Sequence, residues 1–163
     1  MANNESALKK ILFSPKEIKS LSAKYKSLTP SERIIQFYKD FKAEEIMVTS
    51  SFAATSALLL KYFSDINPDQ KIYFIDTGFH FPETVSFKDE IGELLNINII
   101  DVRSQVSKSQ QLDEEGHFYY ASDSDFCCFL NKTQPLEPYL MQYDVWISGV
   151  RANQSAERKN MKT

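Results

Sequence analysis

Three short segments and one pair of adjacent cysteines carry the side chains able to do chemistry. The first segment, Thr49-Ser50-Ser51-Phe52-Ala53-Ala54-Thr55-Ser56, follows an apolar run and opens a helix-forming stretch. The first N–H groups of a helix lack internal partners and face the positive end of its dipole. Together with Ser and Thr hydroxyls they can cradle an anion. The plainer alternative is an ordinary Ser/Thr helix cap. The segment has no GxxxxGK[ST] pattern, so it is not a Walker loop. The second segment is Asp76-Thr77-Gly78-Phe79-His80-Phe81-Pro82-Glu83-Thr84. Gly78 permits a tight turn or close backbone approach to a ligand. Asp76, at a strand end, offers a carboxylate to a sugar or base, while Thr77 or Glu83 can simply cap the next helix. His80, alone between two Phe residues, reads as structural. The third segment runs from Ser148-Gly149-Val150-Arg151 through Gln154-Ser155 to Arg158. Its two arginines can fork onto phosphate or sulfate oxygens. Combined with a hydroxyl-rich helix start, they favour a doubly anionic ligand such as a nucleotide.

Cys127 and Cys128 are the only cysteines. Neighbouring residues form a disulfide only under strain, so the pair reads as reduced thiols or metal ligands. A closed zinc site or an iron–sulfur cluster usually takes four ligands. With His80 and His117 the only histidines, a cluster would need further cysteines from outside these residues.

The elements that must position these groups follow from caps and periodicity. Ser14-Pro15-Lys16-Glu17 and Thr29-Pro30-Ser31-Glu32 each combine a cap residue, Pro at the first helical position and Glu at the third. They predict helices with Ile18, Leu21 and Tyr25 on one face of the first and Ile34, Tyr38 and Phe41 on one face of the second. Ile46-Met47-Val48, Ile72 to Ile75, Ile97 to Val102 and Val145-Trp146-Ile147 read as strands. Between them, residues 53–63 and 82–95 read as helices, the latter with Phe87, Ile91, Leu94 and Leu95 toward the core. Residues 104–124 form a weak polar stretch. Alternating strands and helices predict a parallel α/β sheet with helices on both faces. Ligands of such sheets bind beyond the carboxyl ends of the strands, near a topological switch point. All three segments fall at such ends.

The bulk properties agree with one compact enzyme-sized unit. The chain has 163 residues, enough for one domain. We expect residues 1–42 to be a helical segment packed on an α/β domain of residues 43–163. A net charge of −3 argues against a generic basic nucleic-acid binder. The N-terminus lacks a secretory pattern, and the longest apolar run, Ala57 to Leu60, is far too short to span a membrane. A cytoplasmic protein is expected, and a homo-oligomer stays open.

In this order, these segments resemble the adenylyl-sulfate (APS) and phosphoadenylyl-sulfate (PAPS) reductases of assimilatory sulfate reduction. Residues 74–84 resemble the family's DTG-x-x-FPET block, Val48-Thr49-Ser50-Ser51-Phe52 its modified pyrophosphate loop, and Trp146-Ile147-Ser148-Gly149-Val150-Arg151 with Gln154-Ser155 and Arg158 its W-I-x-G-x-R block. Cys127-Cys128 with Lys132 and Pro135-Leu136 is similar to the CC-x-x-RK-x-x-PL block of cluster-binding members, with Asn131 at the first basic position.

The resemblance implies an adenine nucleotide α-hydrolase-like, Rossmann-like three-layer fold. It implies a phosphate site of Ser50, Ser51, Thr55 and Ser56, an adenosine site of Asp76, Thr77 and Gly78, and anion contacts from Arg151 and Arg158. It further implies Cys127 and Cys128 as two of four ligands of a [4Fe–4S] cluster, with Lys132 linking cluster and substrate. The implied reaction is reduction of adenylyl sulfate to sulfite and AMP through an S-sulfocysteine, with thioredoxin or glutaredoxin as donor. The family's nucleophilic cysteine and its CxxC lie well downstream of the pair. Only 35 residues follow Cys128, none of them Cys, so both are expected beyond Thr163 and no catalytic residue is assigned. The alternatives are a PAPS reductase, an ATP-pyrophosphatase-type adenylylating enzyme (although SGGxDS is absent), or a catalytically incomplete nucleotide-binding fragment.

Overall fold

The computed structural model describes residues 13–150. Arg151 and Arg158 lie outside the described residues. Two helices come first, α1 (Pro15–Lys26) and α2 (Pro30–Asp40). Ser14 and Thr29 each accept the N–H of a Glu three residues on, and that Glu reaches back to the cap backbone. The two helices are joined by stacking of Tyr25 on Phe37 at 4.4 Å and by the Lys24–Asp40 ion pair. Ile18 is half exposed, so the first apolar face is narrower than its spacing predicts.

The remainder is a parallel sheet with helical crossovers: β1 (Ile46–Thr49), α3 (Ala57–Ile66), β2 (Lys71–Ile75), α4 (Pro82–Leu95), β3 (Asn98–Val102), α5 (Tyr119–Ser122), α6 (Ser124–Cys128), α7 (Gln134–Leu140) and β4 (Val145–Ser148). Strand order is β3-β2-β1-β4, with every pairing parallel. The strands run outward from β1 to β3 and then return, by way of α5 to α7, to the other side of β1. The order therefore reverses between β1 and β4, which is where a crevice opens at the carboxyl ends.

Side-chain alternation divides the core into two. Ile46, Val48, Ile72 and Phe74 pack with Ile34, Leu60 and Phe63 beneath α2, α3 and α4. Met47, Tyr73 and Val102 face the opposite way and pack against Leu136 and Tyr139 of α7. β1 is buried along its whole length, as expected of a central strand covered on both faces. The result is the expected three-layer arrangement.

Local differences from the sequence reading have physical causes. The helix expected from residue 53 opens with a 3-10 turn, Ala54–Ser56, before α3 begins at Ala57. Leu94 is exposed rather than core-facing, while Phe87, Ile91 and Leu95 do pack inward. The short, glycine-free connection to β3 closes on Asn96, whose left-handed φ of 50° ends α4. The weak polar stretch holds a 3-10 turn (Lys108–Gln110), a Leu112–Phe118 bridge and α5.

Candidate functional site

β1 leads directly into the hydroxyl-rich loop at the switch point. Thr49 is buried, pairs with Tyr73 on one side and Ser148 on the other, and accepts the indole N–H of Trp146 at 2.9 Å. Ser50 continues the strand pairing by donating its N–H to the Tyr73 carbonyl, and its hydroxyl oxygen accepts the Phe52 N–H at 3.1 Å. That bond turns the chain sharply, and Phe52 adopts a φ of 50°. A non-glycine residue there is strained. Its ring is 1% exposed and packs edge-on against Phe74, which holds the turn in place.

The loop then delivers Thr55 and Ser56 to the start of α3. Ser56 donates to the Ala53 carbonyl and so stabilises the 3-10 turn itself. Ser51 and Thr55 are exposed, and among the described residues neither hydroxyl has a protein partner. No side-chain cap closes α3. The Ser56 and Ala57 N–H groups are already bonded to the Ala53 and Ala54 carbonyls, so the elements present free Ser51 and Thr55 hydroxyls at the positive end of α3, which is the chemistry of an anion cradle.

β2 ends in a second tight turn. The Asp76 carboxylate accepts the Gly78 N–H at 2.9 Å and the Arg103 guanidinium at 2.8 Å. Burial pushes this carboxyl up, but the Gly78 and Arg103 hydrogen bonds outweigh burial and hold it below the ordinary carboxylate value. Asp76 therefore serves the turn through both oxygens. Thr77 accepts the Phe79 N–H, and Gly78 takes a φ of 70°. A Cβ at Gly78 would meet Lys108 Cε at 2.5 Å, because Lys108 lies across the turn with its ammonium over the Phe79 ring. His80 bonds the Ile75 carbonyl and packs tilted against the Phe74 ring, as a structural histidine would. Glu83 does not cap α4, whose cap position is Phe81.

Sequence reasoning missed Arg103 and Lys108. Arg103 bridges Asp76 and Asp101, and Asp101 in turn holds the buried Lys88 at 2.9 Å. The available signal was its place one residue past β3, at a carboxyl end like the other three segments.

The cysteines close α6 and stand at the entrance to a π-helical turn, Phe129–Thr133. Such turns are rare and frequent at functional sites. Cys127 is half-buried and Cys128 exposed, and both are free thiols. The wider turn brings Asn131 Nδ2 to 3.6 Å from Cys127 Sγ and Lys132 Nζ to 3.5 Å from Cys128 Sγ. Asn131, at a basic position of the resemblance block, is buried and exchanges two amide hydrogen bonds with Gln111. Adjacent sulfurs, each near an N–H donor, have the chemistry of thiolate metal ligands, of which an iron–sulfur cluster usually takes four. Among the described residues, Asp113, Glu115 and His117 also cluster, but Asp113 is occupied in capping its own turn. An aromatic series, Phe79–Tyr120 and then Tyr119–Phe126–Phe129, runs from the Gly78 turn to the cysteine helix.

The phosphoadenosine phosphosulfate reductase domain family matches residues 45–163. The chain belongs to this family. Among curated relatives of the reductase family, the adenosine 5'-phosphosulfate reductase of Bacillus cereus (strain Q1) is 34% identical over 126 residues, covering 77% of this chain and 53% of its own. That of Rhodococcus erythropolis is 33% identical over 103 residues, covering 63% and 42%. The chain thus spans about half the length of the curated reductases it matches. The fold matches a crystal structure of the PAPS reductase from Candida auris in a phosphate complex, with a TM-score of 0.72 and 23% identity, over 86% of this chain and 70% of that one. This likeness agrees with the adenine nucleotide α-hydrolase-like fold expected above. Among the described residues, no helix is long and apolar enough to cross a membrane.

Proposed function

We propose that this chain forms the nucleotide-binding part of an adenylyl-sulfate reductase. The observation that carries the proposal is the cysteine pair at the entrance to the π turn, with an N–H donor near each sulfur, in a chain whose 33–34% identical relatives are named adenosine 5'-phosphosulfate reductases. Ser50, Ser51, Thr55 and Ser56 form the phosphate loop, with the Ser51 and Thr55 hydroxyls donating to the anion at the positive end of α3. Thr77 and Gly78 present backbone to the adenosine, while Asp76 shapes that turn and acts on ligand only through it. Arg151 and Arg158, which follow β4 in sequence, would supply two guanidinium groups for the anion.

The chemistry needs a polyanion held still while charge moves from sulfur to the leaving phosphate. A cysteine thiolate attacks the sulfate sulfur. The S–O bond to phosphate breaks, an S–S bond forms, and AMP departs with the electron pair. A donor thiolate of the thioredoxin or glutaredoxin type then attacks the cysteine sulfur of the S-sulfocysteine and displaces sulfite, forming a mixed disulfide. A second donor thiol attacks that bond to leave the disulfide on the donor and restore the enzyme thiol. This chain's residues bind and orient the nucleotide, and the nucleophile belongs to the family's downstream segment. Cys127 and Cys128 would hold two corners of a [4Fe–4S] cluster, with Lys132 between it and the substrate. A cluster there supplies local charge that tunes the sulfonucleotide site.

The test is anaerobic expression of the full reading frame, followed by iron analysis and assay with adenylyl sulfate and reduced thioredoxin. We expect bound iron and sulfite formation, with adenylyl sulfate preferred over its 3'-phosphorylated form. Sulfite from the 3'-phosphorylated substrate alone, without iron, would assign the PAPS branch. ATP-dependent AMP formation without sulfite would assign an adenylylating enzyme. Nucleotide binding with no turnover would leave a binding module.

A further inference from the structure

One feature of the cysteine region is not required by ligation alone. Gln111 and Asn131 are both 2% exposed and face each other across 20 residues of sequence. Gln111 Nε2 donates to Asn131 Oδ1 at 2.9 Å, and Asn131 Nδ2 donates to Gln111 Oε1 at 2.7 Å. The second hydrogens are also used. Gln111 donates to the Val106 carbonyl at 2.9 Å, while Asn131 is shared between the Cys127 carbonyl at 2.9 Å and the Cys127 sulfur at 3.6 Å. The backbone of Gln111 is also engaged, its N–H by the Lys108 carbonyl and its carbonyl by the Tyr119 N–H. Among the described residues no buried side-chain polar atom is left without a partner, so this network is closed. A fully satisfied buried network is rigid and costly to break.

Its geometry differs from that at the other sulfur. Cys128 is exposed and meets the charged end of Lys132. Cys127 meets a neutral amide whose orientation is fixed by Gln111, a residue that touches neither sulfur. We propose that the Gln111–Asn131 amide pair is a positioning device that ties the cysteine-bearing turn to the segment after β3 and aims a fixed N–H at Cys127 Sγ. The two sulfurs are thereby made unequal before any metal or substrate arrives. An N–H dipole aimed at a ligating sulfur stabilises added negative charge, so it raises the reduction potential of a cluster bound through that sulfur. This last consequence rests on the cluster reading above. The positioning role does not.

The pair can be removed in two ways that separate its structural from its electronic effect. Asn131→Leu or Gln111→Met alone strands one buried amide without a partner. Replacing both with apolar side chains of similar size relieves that penalty. In the 163-residue chain, hydrogen exchange should accelerate about tenfold or more across residues 126–133 in each single variant, including Gln111→Met. The double variant should recover most of the lost melting temperature. In the iron-loaded protein from the full reading frame, Asn131→Leu and the double variant should both show a more negative cluster potential and an altered electron paramagnetic resonance signal. Recovered stability with a still-shifted potential is what a merely structural pair would not produce. If Gln111→Met accelerates exchange only around residues 106–111, the coupling to the cysteine turn is wrong. If iron-loaded Asn131→Leu keeps the parent potential and spectrum, the donor role is wrong. A parent protein that binds no iron defeats the cluster reading instead, and the exchange measurement then decides the positioning role.

Discussion

Asp76 shows how a single residue can be placed correctly and yet do different work. Its position after β2 was legible, because a strand end followed by Thr-Gly marks a turn. Its partners were not, because Arg103 arrives from 27 residues away, across a parallel pairing. The carboxylate ionises more readily in the fold than in the unfolded chain, since the Gly78 and Arg103 hydrogen bonds outweigh its burial. Its stabilising contribution is thus complete above the unfolded value near ~3.9 and fades as pH falls through the lower folded value. Asp76→Asn keeps the shape and the Gly78 bond but loses the charge. Because Arg103 is 64% exposed, screening limits the loss to about 1 kcal/mol at neutral pH. Urea unfolding at stepped pH should show that gap near pH 7 and its closure below about pH 3.9. A gap that persisted into acid would mean that Asp76 acts by shape alone.

At the scale of elements, the capping boxes announced α1 and α2, and apolar runs announced all four strands, because these depend on neighbours in sequence. The loop opening α3 depended on something else. Nothing local marks Phe52 for a left-handed backbone, a conformation that costs a side-chain-bearing residue about 1–2 kcal/mol. Burial of its ring against Phe74 decides the balance, since loss of a buried Phe costs about 3–5 kcal/mol. The strained turn is held by tertiary packing, which also aims Ser51 and Thr55 at the switch point. Phe52→Gly relieves the strain but removes the ring, so the net loss should be about 2–3 kcal/mol. Phe52→Ala keeps the strain and should lose about 1–2 kcal/mol more. Denaturant midpoints of the two variants give the order, and a glycine variant as stable as the parent would show that the ring does not hold the turn. The π turn after Cys128 was equally hidden, because its Asn131 meets Gln111 across 20 residues of sequence, a contact that local propensity does not show.

The fold as a whole was the most legible level, because strand–helix alternation restricts the chain to few arrangements, and the order β3-β2-β1-β4 is one of them. What alternation does not supply is the side of β1 to which the last strand returns, and that choice creates the crevice. The choice can be checked in solution, because the single tryptophan, Trp146, sits on β4 and donates to Thr49 on β1 across the reversal of strand order. It is half exposed, so a ligand entering there changes its surroundings. Titration with AMP should therefore alter Trp146 emission in parallel with the heat of binding measured by calorimetry. Trp146→Phe should abolish the optical signal while calorimetry still detects AMP, with affinity weakened by about tenfold or less for one lost neutral hydrogen bond. Binding heat without any change in emission from the parent chain would place the nucleotide away from the β1–β4 crevice, and the hydroxyls of Ser51 and Thr55 would then need another explanation.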